Sequence, residues 1–133
     1  MTPKPVSSKK DWIAAAAEPL AREFKTPLYV YSRESIERAY AAYASAFAPM
    51  PHRICYALKA NSSLALLKLF ASMGAGADIV SGGELRQALR AGFKPEDIVF
   101  SGVGKTDEEL AHGLDRGIGE FNVESESELR RLS

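Results

Sequence analysis

Residues 54–61 read Ile54-Cys55-Tyr56-Ala57-Leu58-Lys59-Ala60-Asn61. The run is rich in β-formers and predicts a strand over residues 54–58. A lysine closes it, and an asparagine follows soon after. A strand that ends on a long cation either sends the ammonium into water or places it where chemistry happens. Alternate side chains of a strand share a face. Lys59 therefore lies with Ala57 and Cys55, while Ile54, Tyr56 and Leu58 share the other side. The bulky set suits packing against helices. The small set leaves room beside the lysine.

Outward from this stretch a rhythm sets in. A helix is predicted over about 63–73, with Leu64, Leu67, Leu69 and Phe70 on it, broken by Gly74 and Gly76. Residues 77–80 read as a strand, 83–91 as a helix stopped by Gly92, and 98–101 as a strand. Thr106 caps a helix to about Asp115, and its spacing to Glu109 fits a capping box. Gly117 and Gly119 separate that helix from a strand over 120–123. Ser125 and Glu128 then make a second candidate box, opening a helix that runs to the terminus. Strand–helix pairs thus begin at roughly residues 54, 77, 98 and 120. A spacing of about 20–25 residues with short connections means βα units and a parallel sheet. Right-handed crossovers allow either an open doubly wound sheet or a barrel, and periodicity does not choose between them.

Before residue 54 the pattern is different. Residues 1–10 hold two prolines, two serines and three lysines and read as a tail. Asp11 is placed to cap a short Ala-rich helix, and Pro19 to begin a second helical turn running to about Phe24. Residues 28–31, Leu-Tyr-Val-Tyr, follow Pro27 and read as a strand. Ser32 caps a helix over 33–48, with Ile36, Ala39, Tyr40, Tyr43, Ala44 and Phe47 at three- and four-residue steps. Pro49 and Pro51 end it.

Composition narrows the functional classes. The 133 residues suit one domain, 46% of them hydrophobic and 26% charged. Seventeen basic residues balance 17 acidic ones, so no net field draws the chain to nucleic acid or an anionic membrane. Cys55 is the sole cysteine, which leaves no intrachain disulfide and suits a reducing cytoplasm. No apolar run approaches the roughly 18 residues that span a bilayer. The Lys4, Lys9, Lys10 and 12–17 segment has the look of a secretory signal, but Glu18 and Pro19 stop it early. The expected location is the cytoplasm.

Two glycine-rich runs invite phosphate-binding readings and fail. Gly74-Ala75-Gly76-Ala77-Asp78-Ile79 puts Ile79 where a dinucleotide fingerprint needs glycine, and it precedes a strand instead of following one. Gly102-Val103-Gly104-Lys105-Thr106 ends like a P-loop but has Val99 where the first glycine belongs. It reads as a tight βα turn with a helix cap. His52, His112 and Cys55 are too scattered for a metal cluster.

Reactive groups of α/β folds sit at the carboxyl ends of strands. Lys59 is at such an end, Asp78 is near the end of the next strand, and Glu84 lies just beyond it. A lysine in a partly dry pocket has a lowered pKa and serves as an amine nucleophile for aldehydes. A neighbouring carboxylate offsets its charge. The plain alternatives stand beside these: a solvated lysine, a turn-capping aspartate, and a glutamate on a helix N-terminus.

Five stretches together resemble diaminopimelate decarboxylases. They are Thr26-Pro27-Leu28-Tyr29-Val30-Tyr31, Tyr56-Ala57-Leu58-Lys59-Ala60-Asn61, the run from Gly76 to Glu84, Phe100-Ser101-Gly102-Val103-Gly104-Lys105-Thr106, and the run from Phe121 to Leu129. They occur in order and cover the chain from about residue 26. The resemblance implies a pyridoxal-phosphate enzyme with an alanine-racemase-like barrel, which takes the D-configured carboxylate from meso-diaminopimelate to give L-lysine and carbon dioxide. Lys59 matches the lysine that holds the cofactor through a Schiff base, Asp78 an acidic position close to it, and Glu84 a position near the pocket. Residues 28–31 would then belong to an accessory β-domain and Lys59 to the first barrel strand.

The same resemblance implies the first half of a (β/α)8 barrel, a partial pyridoxal-phosphate-binding domain over 26–133 after a tail and short helix over 1–25. The family's ring-stacking histidine, glycine-rich phosphate loop, pyridine-facing acid and second domain, with the residues that complete a homodimer, are expected elsewhere. The chain is accordingly expected to be an amino-terminal piece that binds the cofactor weakly and turns nothing over. Two other readings stay open. One is a related decarboxylase or racemase of the same barrel class acting on a basic amino acid, although Asn61-Ser62-Ser63 and the Ser81-Gly82-Gly83-Glu84 run favour the first. The other is a non-catalytic cofactor carrier or interaction module.

Overall fold

The structure, a computed structural model, describes residues 9–133. It divides between Ile36 and Glu37 into two compact units. The expected tail over 1–10 lies mostly outside the described residues.

In the first unit the alanine-rich segment forms one helix, α1 (Lys9–Phe24), with Pro19 inside it. Two helical pieces were expected from the proline. Proline withdraws a single backbone donor, and the strong helix formers on both sides carry the helix through. Asp11 lies within this helix and not at a cap. Residues 28–31 form no strand among the described residues. Tyr29 and Tyr31 are exposed, and so are Leu28 and Val30. β-propensity makes a backbone extended, but a strand also needs a hydrogen-bonded neighbour, and none is described here. Helix α2 (Arg33–Phe47) follows, and Ser32 Oγ accepts a bond from the Ser35 amide at 3.2 Å, as its cap position implies.

The second unit holds the alternating pattern. Its strands are β1 (Cys55–Ala57), β2 (Gly76–Ile79), β3 (Ile98–Phe100) and β4 (Glu120–Phe121). Between and after them run α3 (Leu64–Ser72), α4 (Gly82–Ala91), α5 (Asp107–Asp115) and α6 (Glu126–Leu132). All three strand pairings are parallel, and the sheet order is β1-β2-β3-β4. Each crossover therefore steps one strand over in the same direction. With right-handed crossovers, that order puts every helix on one face. A doubly wound sheet reverses its order and covers both faces. The order thus selects barrel winding, the choice that periodicity left open.

Burial agrees. Ala77, Ile79, Ile98 and Phe100 are fully buried, with Leu67 of α3 and Leu85 and Ala88 of α4 in the same core. Tyr56 stacks on Phe70 of α3 with ring centroids 4.0 Å apart, and Phe100 stacks on Phe121 at 5.9 Å. Each fully buried large side chain contributes about 1.5–3 kcal/mol. The register places Ala57, Asp78, Val99 and Glu120 side by side on the opposite face, where they are half-buried or exposed. Glycine sets the sheet's lower edge: a Cβ on Gly119 would lie 2.2 Å from the Glu96 carbonyl oxygen.

Candidate active site

The strand that carries Lys59 is shorter than its sequence suggests. β1 ends at Ala57, and Leu58–Ala60 turn into one turn of 3-10 helix. Leu58 is fully buried and pins this turn. Tyr56, held flat against Phe70, donates its hydroxyl to the Asn61 carbonyl at 3.2 Å. The Asn61 side chain in turn accepts from the Ser63 amide at 2.9 Å, at the start of α3. Asn61 thus closes the turn that presents the lysine. Strict alternation past Ala57 does not hold, because the chain leaves extended geometry at Leu58. Lys59 is exposed, and it makes no hydrogen bond or ion pair among the described residues.

Asp78 lies in β2 directly across from Ala57, two residues before the lysine on the neighbouring strand. Its Oδ1 is buried and has no hydrogen-bond partner among the described residues. A buried acceptor without a donor costs about 1–3 kcal/mol; Gln87 Oε1 is the other such side-chain atom among the described residues. Beside Asp78, burial and, secondarily, the aspartate's charge push the Cys55 thiol above its ordinary pKa, against a lowering pull from Arg53. The sole cysteine is therefore held as the neutral thiol at neutral pH.

The turn after β2 is held by two carboxylates. Glu84 Oε2 accepts from the Val80 amide at 2.7 Å, and the Glu84 amide donates to Ser81 Oγ at 3.2 Å. Glu109, from α5, accepts from the Gly82 amide at 2.8 Å and from the Thr106 amide at 3.0 Å. Thr106 and Glu109 form the expected capping box, which also reaches across to the start of α4. Hydrogen bonds from the Thr106 and Gly82 amides hold the Glu109 carboxyl below its usual range, against the smaller opposing effect of burial. Glu84 stands where the sequence put it, but one of its oxygens is committed to the backbone.

The loops after β3 and β4 are joined by a residue that the sequence reading set aside. Lys105 is almost wholly buried. Its Nζ donates to the Gly102 carbonyl at 2.7 Å, the Asn122 carbonyl at 2.8 Å and Glu128 Oε1 at 2.7 Å. All three ammonium protons are thereby used, and the phosphate role that a P-loop lysine would have is closed to it. The βα turn with a helix cap is borne out, with Gly102 and Gly104 at positive φ. Ser125 caps α6, but the Glu128 carboxylate goes to Lys105, so only half of the second capping box forms. The ladder continues one residue past each strand: the Ser101 amide bonds to Ile79, and the Asn122 amide to Phe100. Asn122 Nδ2 donates to Ser101 Oγ at 2.9 Å.

A family model described as the pyridoxal-binding domain of pyridoxal-dependent decarboxylases matches residues 33–133. The chain belongs to this family. Among curated relatives, it is 55% identical over 113 residues to the diaminopimelate decarboxylase of Pseudomonas aeruginosa, covering 85% of this chain and 27% of that protein. Among solved structures, the diaminopimelate decarboxylase of Helicobacter pylori complexed with L-lysine is 47% identical with a TM-score of 0.84. That comparison covers 87% of this chain and 29% of the other. The ornithine decarboxylase of Entamoeba histolytica is more distant, at 33% identity and a TM-score of 0.67, over 75% of this chain and 29% of that one. The chain thus spans a little over a quarter of the length of the relatives it matches. Among the described residues, no helix is long and apolar enough to cross a membrane.

The residues present fit a pyridoxal group on one specific observation. An aldehyde condenses with an accessible amine, and Lys59 is accessible. Lys59 would hold such a group by its amine, and Asp78 Oδ1, a buried acceptor without a donor among the described residues, would be available to it. Sequence reasoning put Lys59 and Asp78 near the ends of adjacent strands, and the β1–β2 register sets Asp78 across from Ala57, two residues before Lys59. It missed Lys105 and the reach of Glu109 to Gly82, because both act across 17–27 residues of intervening chain. A lysine followed one strand later by an acid at an N3 position was the only available signal.

Proposed function

We propose that this chain is the pyridoxal-phosphate-binding, amino-terminal part of a diaminopimelate decarboxylase, with Lys59 as the residue that carries the cofactor. The observation that supports this most directly is the buried, donor-less Oδ1 of Asp78, one step below Lys59 on the adjoining strand. When bound, pyridoxal phosphate supplies the electron sink that lets a Cα–carboxylate bond break. Lys59 holds the group by its ε-nitrogen. Asp78 would offer its buried Oδ1 as an acceptor and its charge as a counterweight to a cationic group held there. Glu84 shapes the adjacent turn through its bond to the Val80 amide, and its free oxygen faces no assigned proton. In this reading residues 26–133 are the barrel portion, the working enzyme is a cytoplasmic homodimer, and the substrate is meso-diaminopimelate.

The substrate is tested with a chimera. This chain replaces the matching 113-residue stretch of the Pseudomonas aeruginosa enzyme, and product is followed by chromatography. The expected result is L-lysine from meso-diaminopimelate, no product from L-ornithine or L-arginine, and none at all from Lys59→Ala. Turnover of ornithine or arginine in preference to diaminopimelate would refute the substrate.

A further inference from the structure

The parallel register fixes more than the layer that contains Asp78. Ala57, Asp78, Val99 and Glu120 are partners across the sheet. Two residues further along the chain from β2, β3 and β4 stand Val80, Ser101 and Asn122, while Lys59 lies two residues past Ala57 in the 3-10 turn. The ladder bonds from the Ser101 amide to Ile79 at 2.7 Å and from the Asn122 amide to Phe100 at 2.9 Å confirm that β2, β3 and β4 keep this register to that level. Side chains two apart return to the same face. Ser101 and Asn122 therefore stand on the face of Asp78, two residues beyond its level. Their direct contact, Asn122 Nδ2 to Ser101 Oγ at 2.9 Å, requires that they share it.

Neighbouring strands lie about 4.8 Å apart, so the backbone of Ser101 is about 5 Å and that of Asn122 about 10 Å across the sheet from β2, the strand that carries Asp78. The pair also keeps unused capacity. Asn122 Nδ2 occupies the serine oxygen, which leaves the serine hydroxyl proton free to donate and Asn122 Oδ1 free to accept. Neither makes another hydrogen bond among the described residues. Ser101 is half-buried and Asn122 exposed, so both are open to a ligand.

Behind them, Lys105 ties the Gly102 and Asn122 carbonyls together with one buried ammonium. Gly102 follows Ser101 directly. The cation thus fixes the backbone of both residues from the core side, while their side chains face the open side. Few arrangements of a buried lysine would hold two adjacent loops at a set separation so firmly.

We propose that Ser101 and Asn122 form a polar contact for the pyridoxal group borne by Lys59, and that Lys105 acts as the positioning residue that holds the pair. This rests on the assignment of Lys59 above. The test uses the full chain with pyridoxal phosphate, borohydride trapping and peptide mass analysis, so that occupancy of Lys59 is read as a function of cofactor concentration. Ser101→Ala/Asn122→Ala is compared with wild type and with Ser101→Thr, which keeps the hydroxyl. Loss of a hydrogen bond to the ligand is expected to raise the half-saturation concentration about fivefold in the double alanine variant. Ser101→Thr is expected to stay near wild type. Because the pair is solvent-accessible, the melting temperature is expected to move by no more than about 2 °C. Half-saturation within about twofold of wild type overturns the proposal, as does a loss seen only together with a lowered melting temperature. If wild type itself shows no adduct on Lys59, the underlying assignment fails first, and the two failures are told apart by that control.

Discussion

Lys105 and Glu128 make the sharpest energetic prediction. Their side chains are 1% and 2% exposed, and their charged atoms are 2.7 Å apart. Lys105→Met leaves the Glu128 carboxylate buried without its cation, and removing one partner of such a pair costs about 3–5 kcal/mol. It also strips the donor from the Gly102 and Asn122 carbonyls, so the upper part of that range is expected. Domains of this size have about 5–15 kcal/mol of stability in total, and the single variant should sit near the edge of folding. Replacing both members with apolar residues removes the orphaned charge and is often neutral or better. Here the two carbonyls stay unmet, so Lys105→Met/Glu128→Leu should remain about 1–3 kcal/mol below wild type. The singles should therefore sum to more than the double by at least about 3 kcal/mol. Urea titrations followed by far-UV circular dichroism give all four unfolding free energies. Additive singles, with coupling under about 0.5 kcal/mol, would refute the reasoning, because independent sites behave that way.

Three further outcomes follow from the same structure. Glu109→Gln removes a carboxylate that caps two helices, and a cap of this kind contributes about 1 kcal/mol. The native carboxyl titrates below its unfolded value, so the wild-type advantage is present above the unfolded pKa. It should fade as pH falls through the lower native pKa, as checked by urea titrations across the acid range. Gly119→Ala drives a methyl into the Glu96 carbonyl oxygen, which has a 2.2 Å clearance. The backbone must shift, at about 3 kcal/mol, visible as a lowered melting temperature, whereas Gly117→Ala meets no neighbouring atom and strains only its positive φ. The raised pKa of the Cys55 thiol predicts slow alkylation by iodoacetamide near pH 7.5, with a rate that climbs at higher pH than for a free cysteine peptide.

Much of this was legible before any coordinates. The recurrence of short apolar runs and capped helices fixed a parallel βα sheet, and the Thr106–Glu109 spacing gave a real capping box. Strand ends were overestimated, because residues 58 and 101 look equally β-prone. At Leu58 a buried side chain pulls the backbone into a 3-10 turn, a tertiary effect no local window contains. The Leu-Tyr-Val-Tyr run was misread for a related reason: propensity speaks for one chain segment, but a strand is a property of two. The positions of Lys59 and Asp78 close to the carboxyl ends of adjacent strands were legible. Their relation was not, since it depends on the β1–β2 register. The role of Lys105 was hidden more deeply. Its sequence neighbours spell an anion-binding loop, and only the packing of α6 turns the cation inward to Glu128 and two carbonyls.

The central claim is that the ε-amine of Lys59 is the one that condenses with pyridoxal phosphate, and it is tested by site mapping. The chain is incubated with the cofactor, reduced with borohydride, digested and sequenced by mass spectrometry. The account predicts that the adduct is concentrated on the peptide containing Lys59 and is lost in Lys59→Ala. An adduct spread evenly over the exposed lysines, or undiminished in that variant, would contradict it.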